Sequence, residues 1–229
     1  MSGLKSYHIP LSRRRLVQSL TLTAAGLWAP GVFAELLTLT PATTEGPFFP
    51  DKLPLDQDND LIRITDQSTP AVGTVTNLSG RVLDKSGQPV RNALVEIWQA
   101  DHHGAYLHPA GAQGDAMRDP GFQGYGKFET GSGGGWKFRT IQPGLYTGRT
   151  RHYHFGITLK GQERFATQLF IKDEAGNAKD GVLRAIRDDK QRDSIIREFK
   201  MVDGTKELAA VWDIVMGVTP GDNHDESPK

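Results

Sequence analysis

From about Leu78 onward the sequence is a succession of short β-rich runs, each closed by a turn signal, and few folds accommodate that pattern. Leu78–Leu83, Ala93–Gln99, Trp136–Ile141, His152–Leu159, Phe165–Ile171 and Leu208–Met216 are rich in the β-branched and aromatic residues that favour pleated backbone. Between them stand Gly131-Ser132-Gly133-Gly134-Gly135, Gln142-Pro143-Gly144 and Asp84-Lys85-Ser86-Gly87-Gln88-Pro89, the last read as a hairpin-like connection. One helical candidate is legible, Val182–Phe199, where Val182, Ile186, Ile195, Ile196 and Phe199 fit a helical stripe only in part. The pattern predicts an all-β fold: a single β-sandwich with long loops and one or two short helices. Its expected bounds are 78–220, after an extended, proline-punctuated lead-in over 35–77 and before a polar tail, 221–229, expected to be disordered.

The first 34 residues differ in kind, holding Lys5, Arg13, Arg14 and Arg15 with no acidic residue. Ser12-Arg13-Arg14-Arg15-Leu16-Val17 looks like a twin-arginine export signal, followed by the apolar stretch Leu16–Trp28, a helix-breaking Pro30 and a cleavage-like Val32-Phe33-Ala34. The alternative is an amphipathic helix kept in the mature chain. The stretch is too short and interrupted for a membrane span. Residues 1–34 are therefore expected to be a signal peptide, read by the twin-arginine translocon and delivering the protein to the periplasm or beyond. Without them the chain carries 23 basic and 27 acidic residues, a net charge near −4. Such a chain has no general attraction for nucleic acid or anionic membranes. It also has no cysteine, which excludes disulfides and thiolate metal sites, so any metal must be held by His, Tyr and carboxylates.

His152-Tyr153-His154 is the sharpest local signal. In a strand the two imidazoles project from one face, roughly 7 Å apart along the backbone, where they can chelate one metal ion. Tyr153, Phe155 and Ile157 fall on the opposite face, and Gly156 and Thr158 are expected to leave room beside the histidines. A bare His-x-His also reads as a solvated surface pair. The segment from His102 to Lys127, with three of the seven histidines and with Tyr106, Phe122 and Tyr125, is the longest stretch without evident regular structure and is expected to be a functional loop.

Several blocks together resemble the intradiol ring-cleaving dioxygenases, the group that includes catechol and protocatechuate dioxygenases. They are Thr44-Glu45-Gly46-Pro47-Phe48-Phe49, the run from Gly87 to Asp101, Gly104-Ala105-Tyr106-Leu107-His108, Phe122-Gln123-Gly124-Tyr125-Gly126, the run from Phe138 to Tyr146, and Arg149-Thr150-Arg151-His152-Tyr153-His154-Phe155. The resemblance runs from Thr44 to about Met216. It implies iron(III) held by Tyr106, Tyr146, His152 and His154, with Tyr146 and His154 on the axial line. Two hard phenolate donors suit that ion, because their charge favours the ferric state. It further implies a catecholic substrate and O2 as reactants, cleavage between the two hydroxylated carbons to a cis,cis-muconate-type diacid, and no external reductant. Tyr146 would be displaced by substrate and serve as general base, Arg149 would stabilise charge on the ring carbon, and Gln168 matches a family glutamine near the site.

Arg151 and Tyr153 depart from the residues common in relatives, and only Thr147–Arg151 separate the second tyrosine from the histidines, which opens one pocket wall. His102, His103 and His108 read as loop polarity rather than a second metal site. The helical dimerisation domain of the catechol branch is not expected here, leaving protocatechuate-like or small single-domain exported relatives, with a homo-oligomer possible. Two rival functions compete: a non-catalytic prealbumin-like β-sandwich binding module, and a periplasmic copper or zinc carrier in which the tyrosines are dispensable.

Overall fold

A computed structural model describes residues 37–65, 68–111 and 118–217. The expected signal with its arginines, His8, the tail and His224 lie outside the described residues. The described chain is all-β in character, with ten strands and two short helices. The strands are β1 (Val75–Leu83), β2 (Leu94–Trp98), β3 (Tyr125–Glu129), β4 (Gly135–Ile141), β5 (His152–Thr158) and β6 (Phe165–Ile171), then β7 (Ile196–Arg197), β8 (Lys200–Met201), β9 (Leu208–Val211) and β10 (Ile214–Val215). The helices, α1 (Gly181–Ala185) and α2 (Asp189–Ser194), lie between β6 and β7.

These strands form two five-stranded sheets. In one, β1 is central, antiparallel to β4 along one edge and parallel to β9 and β10 along the other, with β8 beyond β9. The second has the order β3-β2-β5-β6-β7, antiparallel throughout except for β7. The sheets face each other across one apolar core. Leu78 from β1, Trp136 and Phe138 from β4, Val95 and Ile97 from β2, and Tyr153, Phe155 and Ile157 from β5 are all buried there. The Phe155 ring packs 5.3 Å from Trp136 and 5.2 Å from Trp212, centroid to centroid, joining the layers. Each such side chain contributes about 1.5–3 kcal/mol on burial, before the entropy of ordering the chain is set against it. The β-sandwich expected from the turn-punctuated pattern is the fold observed.

Four local expectations are narrowed or corrected. Asp84–Pro89 does fold back like a hairpin, with Asp84 N donating to Gln88 O, Val90 N to Val82 O and an antiparallel bridge between Leu83 and Pro89, but the pairing stops there, because β1 and β2 belong to different sheets. Asp84 Oδ1 accepts from Ser86 N, Ser86 Oγ and Gln88 N, closing the turn, and β4 already lines β1 from Val75 to Arg81, so after Val90 the chain passes to the second sheet. The single helix over Val182–Phe199 is two short ones, since one N-cap stands just before the segment and a second within it: Asp180 accepts from Val182 N and Leu183 N, and Asp188 from Gln191 N. The β-branched Ile195 and Ile196 then leave helical geometry, and Ile196 begins a strand beside β6. The run Leu208–Met216 breaks at Trp212 and Asp213, where Trp212 N donates to Ser79 O and Asp213 Oδ1 accepts from Arg81 N. The 102–127 segment is also shorter than expected, since Tyr125 already begins β3.

The lead-in is bound to both sheets. Thr40 N donates to Val215 O, Thr43 N to Ala166 O, and Thr167 Oγ1 to Pro41 O. That anchorage carries the Thr44–Phe49 segment onto the outer face of the second sheet, opposite the core.

Candidate active site

The outer face of β5 is where the polar residues converge. With Tyr153, Phe155 and Ile157 turned to the core, His152 and His154 point outward, their Nε2 atoms 3.2 Å apart and both residues buried. Antiparallel register sets Trp98 and Gln168 on either side of His154. The Trp98 indole stacks on the His154 ring at 5.1 Å and 13°. His152 Nδ1 lies 2.7 Å from Thr150 O, an atom that can only accept, so Nδ1 carries the proton and Nε2 presents its lone pair. Burial, helped by the Arg149 cation, lowers His152 to about 4; burial, then His152 and Arg149, hold His154 well below the ordinary histidine value. Both rings are therefore neutral near pH 7.

Two loops bring the tyrosines over this pair. The buried Asp101 carboxylate accepts from His103 N, Ala105 N and Asp119 N, which shapes the turn that delivers Tyr106. The backbone carbonyl of Asp101 also accepts from Gly144 N at 2.8 Å, tying this turn to the loop that delivers Tyr146. Only glycine allows that approach: a Cβ at position 144 would lie 2.4 Å from both Gly104 N and His102 O. Tyr106 is buried at 3% exposure, whereas Tyr146 is half-buried. Phe48 packs against both rings, at 5.1 Å and 6.0 Å. Burial raises the Tyr106 phenol well above its ordinary value, with the neighbouring Tyr146 adding to the effect, and burial also raises Tyr146.

The four candidate ligand atoms form a tight group. Tyr106 Oη is 3.4 Å from His152 Nε2, 3.2 Å from His154 Nε2 and 3.5 Å from Tyr146 Oη. Tyr146 Oη is 3.1 Å from His152 Nε2. Donors held about 2.0 Å from a common centre sit roughly 3.3 Å apart at tetrahedral corners, so this donor set fits a single metal ion. Its chemistry fits too, with two neutral imidazoles offering lone pairs and two buried phenols that a cation would bring to the phenolate form. Among the described residues no group of three or more His, Asp and Glu could hold a metal, which leaves the phenols as the further donors beside the histidine pair.

Arg149 and Gln168 complete the site together. Arg149 Nη2 donates to Gln168 Oε1 at 2.7 Å, Nη1 to Tyr146 Oη at 3.5 Å, and Nε to Asp180 Oδ2 at 2.8 Å. Gln168 Nε2 in turn donates to Thr44 O. Arg151 faces away, paired with Glu174 at 3.1 Å and bonded to Pro143 O. His102 and His103 are exposed, and His108 Nδ1 accepts from Ala110 N, so none of these three joins the donor group.

The room expected beside Gly156 is taken by protein. Arg164 Cδ lies 2.7 Å from where a Cβ would stand there. The Arg164 guanidinium grips both oxygens of Glu45 at 2.8 and 3.0 Å, reaches Glu96 at 3.3 Å and lies 4.1 Å over the Phe49 ring. The clamp fixes the Thr44–Phe49 segment above the histidines. Sequence reading missed Arg164, whose partners are distant in the chain, and Asp101 and Asp180, each of which joins a local turn to a distant group; only the Asp-x-x spacing before α1 signals Asp180 as a cap.

Residues 44–218 match the family model described as Dioxygenase. The chain belongs to this family. Its members are intradiol ring-cleaving dioxygenases, as the resemblance implied. The beta chain of protocatechuate 3,4-dioxygenase from Burkholderia cepacia is 36% identical over 172 residues, covering 69% of this chain and 71% of that one. Hydroxyquinol 1,2-dioxygenase from Nocardioides simplex is 26% identical over 198 residues, 76% of this chain and 61% of that one. Among solved structures, the dioxygenase domain of a dioxygenase–carbohydrate-binding protein fusion from Streptomyces sp. SirexAA-E superposes with a TM-score of 0.61 at 30% identity, covering 80% of this chain and 100% of that domain. Membership in this family favours the dioxygenase reading over the binding module and the metal carrier.

Proposed function

We propose that this protein is an iron(III)-dependent intradiol dioxygenase that opens a catecholic ring between its hydroxylated carbons with O2, giving a cis,cis-muconate-type diacid. The observation that carries this reading is the convergence of Tyr106, Tyr146, His152 and His154 Nε2 or Oη atoms, with neighbouring distances of 3.1–3.5 Å, on the outer face of one sheet. These four residues would hold the iron. When bound, it supplies a Lewis acid that activates the catecholate toward dioxygen.

The chain's own groups divide the remaining work. Tyr146 is the more exposed phenol, so it is the one free to swing aside as substrate enters, and its Oη can then accept a substrate hydroxyl proton. Tyr106 stays, held under Phe48. Arg149 lies beside Tyr146 with its cation held against Gln168, where it can stabilise negative charge on the ring. Trp98, Phe48 and the clamped Thr44–Phe49 segment exclude water from the His154 side. The relatives' names cover protocatechuate, catechol and hydroxyquinol, so the reading stays at the level of catecholic substrates. We further propose export through the twin-arginine route to the periplasm or medium, on the basis of Arg13 and Arg14, the apolar stretch Leu16–Trp28 and the cleavage-like Val32-Phe33-Ala34.

The test is a visible absorption spectrum of purified protein with its iron content, before and after anaerobic addition of catechols. A tyrosinate-to-iron(III) band that shifts on catechol addition is expected. Tyr106→Phe and Tyr146→Phe should each move that band, and Tyr146→Phe should still bind catechol. A colourless iron-loaded protein, or a band unmoved in both variants, sinks the ligand assignment.

A further inference from the structure

We propose that Asp180 is a positioning residue for the ring-cleavage step, acting through Arg149. The inference rests on the role given to Arg149 above and adds the group that aims it. The Asp180 side chain is completely buried, and that of Arg149 is 18% exposed. Oδ2 accepts from Arg149 Nε at 2.8 Å and from Thr150 N at 3.2 Å, while Oδ1 accepts from Val182 N at 2.9 Å and Leu183 N at 3.3 Å. Each oxygen is thus held by backbone, and the carboxylate is a fixed post rather than a swinging counter-ion.

That fixture matters because a guanidinium is planar with donors in a rigid fork. Two anchored contacts, Nε to Asp180 and Nη2 to Gln168 Oε1 at 2.7 Å, define the plane and leave Nη1 as the arm directed at Tyr146 Oη. Without the carboxylate, the head is held at one point and can rotate about it. The charge is then no longer pre-aimed, and preorganisation is what makes such a group effective. Asp180 stands 31 residues from Arg149, on the turn that opens α1, so the helix backbone is the mount for the aim.

A purely structural role is the competing account, since Asp180 caps α1 and supports Thr150, whose carbonyl holds His152. Two variants separate the accounts. Asp180→Asn keeps an oxygen for the cap but cannot accept from both the cap and Arg149 with full charge. Asp180→Ser keeps capping ability and is too short to reach the guanidinium. In the iron-loaded protein both should retain the iron, the visible band and anaerobic catechol affinity within about twofold. The subsequent reaction with O2 should slow by roughly tenfold or more, as for other supporting partners of an active-site group. In an Arg149→Gln background, adding Asp180→Asn should change the O2 reaction by less than about twofold, because the group it aims is gone. Loss of iron or of the band in both variants, losses that multiply in the double variant, or an O2 reaction at the parent rate in Asp180→Asn would each overturn the proposal. An Arg149→Gln variant that reacts at the parent rate would instead strike down the reading of Arg149 itself, and the proposal with it.

Discussion

At the site, two arginines two residues apart meet opposite fates. Arg149 follows a turn closed by its own N–H to Tyr146 O, with Gly148 at a φ of +82°, and this turn swings it over the histidine face. Arg151, next to the first histidine in the strand, points the other way by simple alternation, as its sequence position predicts. The two substitutions should therefore differ. Arg149→Gln should keep the iron, the colour and catechol binding while slowing the O2 reaction about a hundredfold, roughly 3 kcal/mol of lost charge stabilisation. Arg151→Gln removes a partly exposed pair with Glu174 and should cost at most about 1 kcal/mol of stability, leaving the O2 reaction near the parent rate. Stopped-flow oxygen mixing after anaerobic loading distinguishes them, and a reversed order would place the functional arginine on the other strand face. His152 and His154 were legible from their spacing alone, and Tyr106 and Tyr146 were named beside them through the resemblance carried by their motif blocks. Asp180 and Arg164 were not, since a carboxylate or guanidinium carries no mark in sequence of the distant group it will meet.

Elements depend on contacts that a single position can break. The Tyr106 and Tyr146 loops touch backbone to backbone at Gly144. Gly144→Ala forces a Cβ onto main-chain atoms that cannot rotate away, so the loops must part. We expect a loss of about 1–3 kcal/mol in stability together with weakened iron retention, measured by thermal unfolding and metal analysis. Unchanged iron content would mean that the tyrosines do not depend on this contact. The Asp84 turn offers a different test. Burial opposes the charged form of Asp84, yet hydrogen bonds from Ser86, Gln88 and Gly87 outweigh it and hold the carboxyl below its usual range. A depressed carboxyl stabilises the fold above its unfolded value near 3.8, and that contribution fades as pH falls below this toward its folded value. Asp84→Asn should thus cost about 1 kcal/mol at neutral pH, with the gap from the parent narrowing in acid. A gap constant from neutral pH to below 3 contradicts this. The same turn marks the limit of local reading: its Gly and Pro signals do give a hairpin-like reversal, bridged at Leu83 and Pro89, but that β4 lines β1 from Val75 to Arg81 and sends β2 to the other sheet is not a local property. Likewise, α1 and α2 share one partial stripe, and it took a second aspartate cap and pairing of β7 with β6 to divide them.

For the whole molecule, the charge asymmetry of the first 34 residues is the feature with the widest consequence, and it lies outside the described residues. If Arg13 and Arg14 direct twin-arginine export, changing both to Lys should hold the precursor in the cytoplasm, read by fractionation and by the mass of the chain at Ala34. Undiminished export of the double variant rules the route out. The sandwich itself was legible in outline, because alternating apolar runs and turn residues are set by backbone geometry within a few residues. For the same reason the sequence alone determined that His152 and His154 share a face and that Tyr153, Phe155 and Ile157 enter the core. The absence of cysteine likewise confined any metal ligands to His, Tyr and carboxylates. What only the tertiary structure decided is that Tyr106, 46 residues from His152, arrives within 3.4 Å of it, that Arg164 occupies the space beside Gly156, and that a helix cap aims Arg149. Those outcomes depend on strand register, on a glycine contact between two loops and on a buried carboxylate. Each is a non-local pairing whose energy exists only once the two sheets have closed on their core.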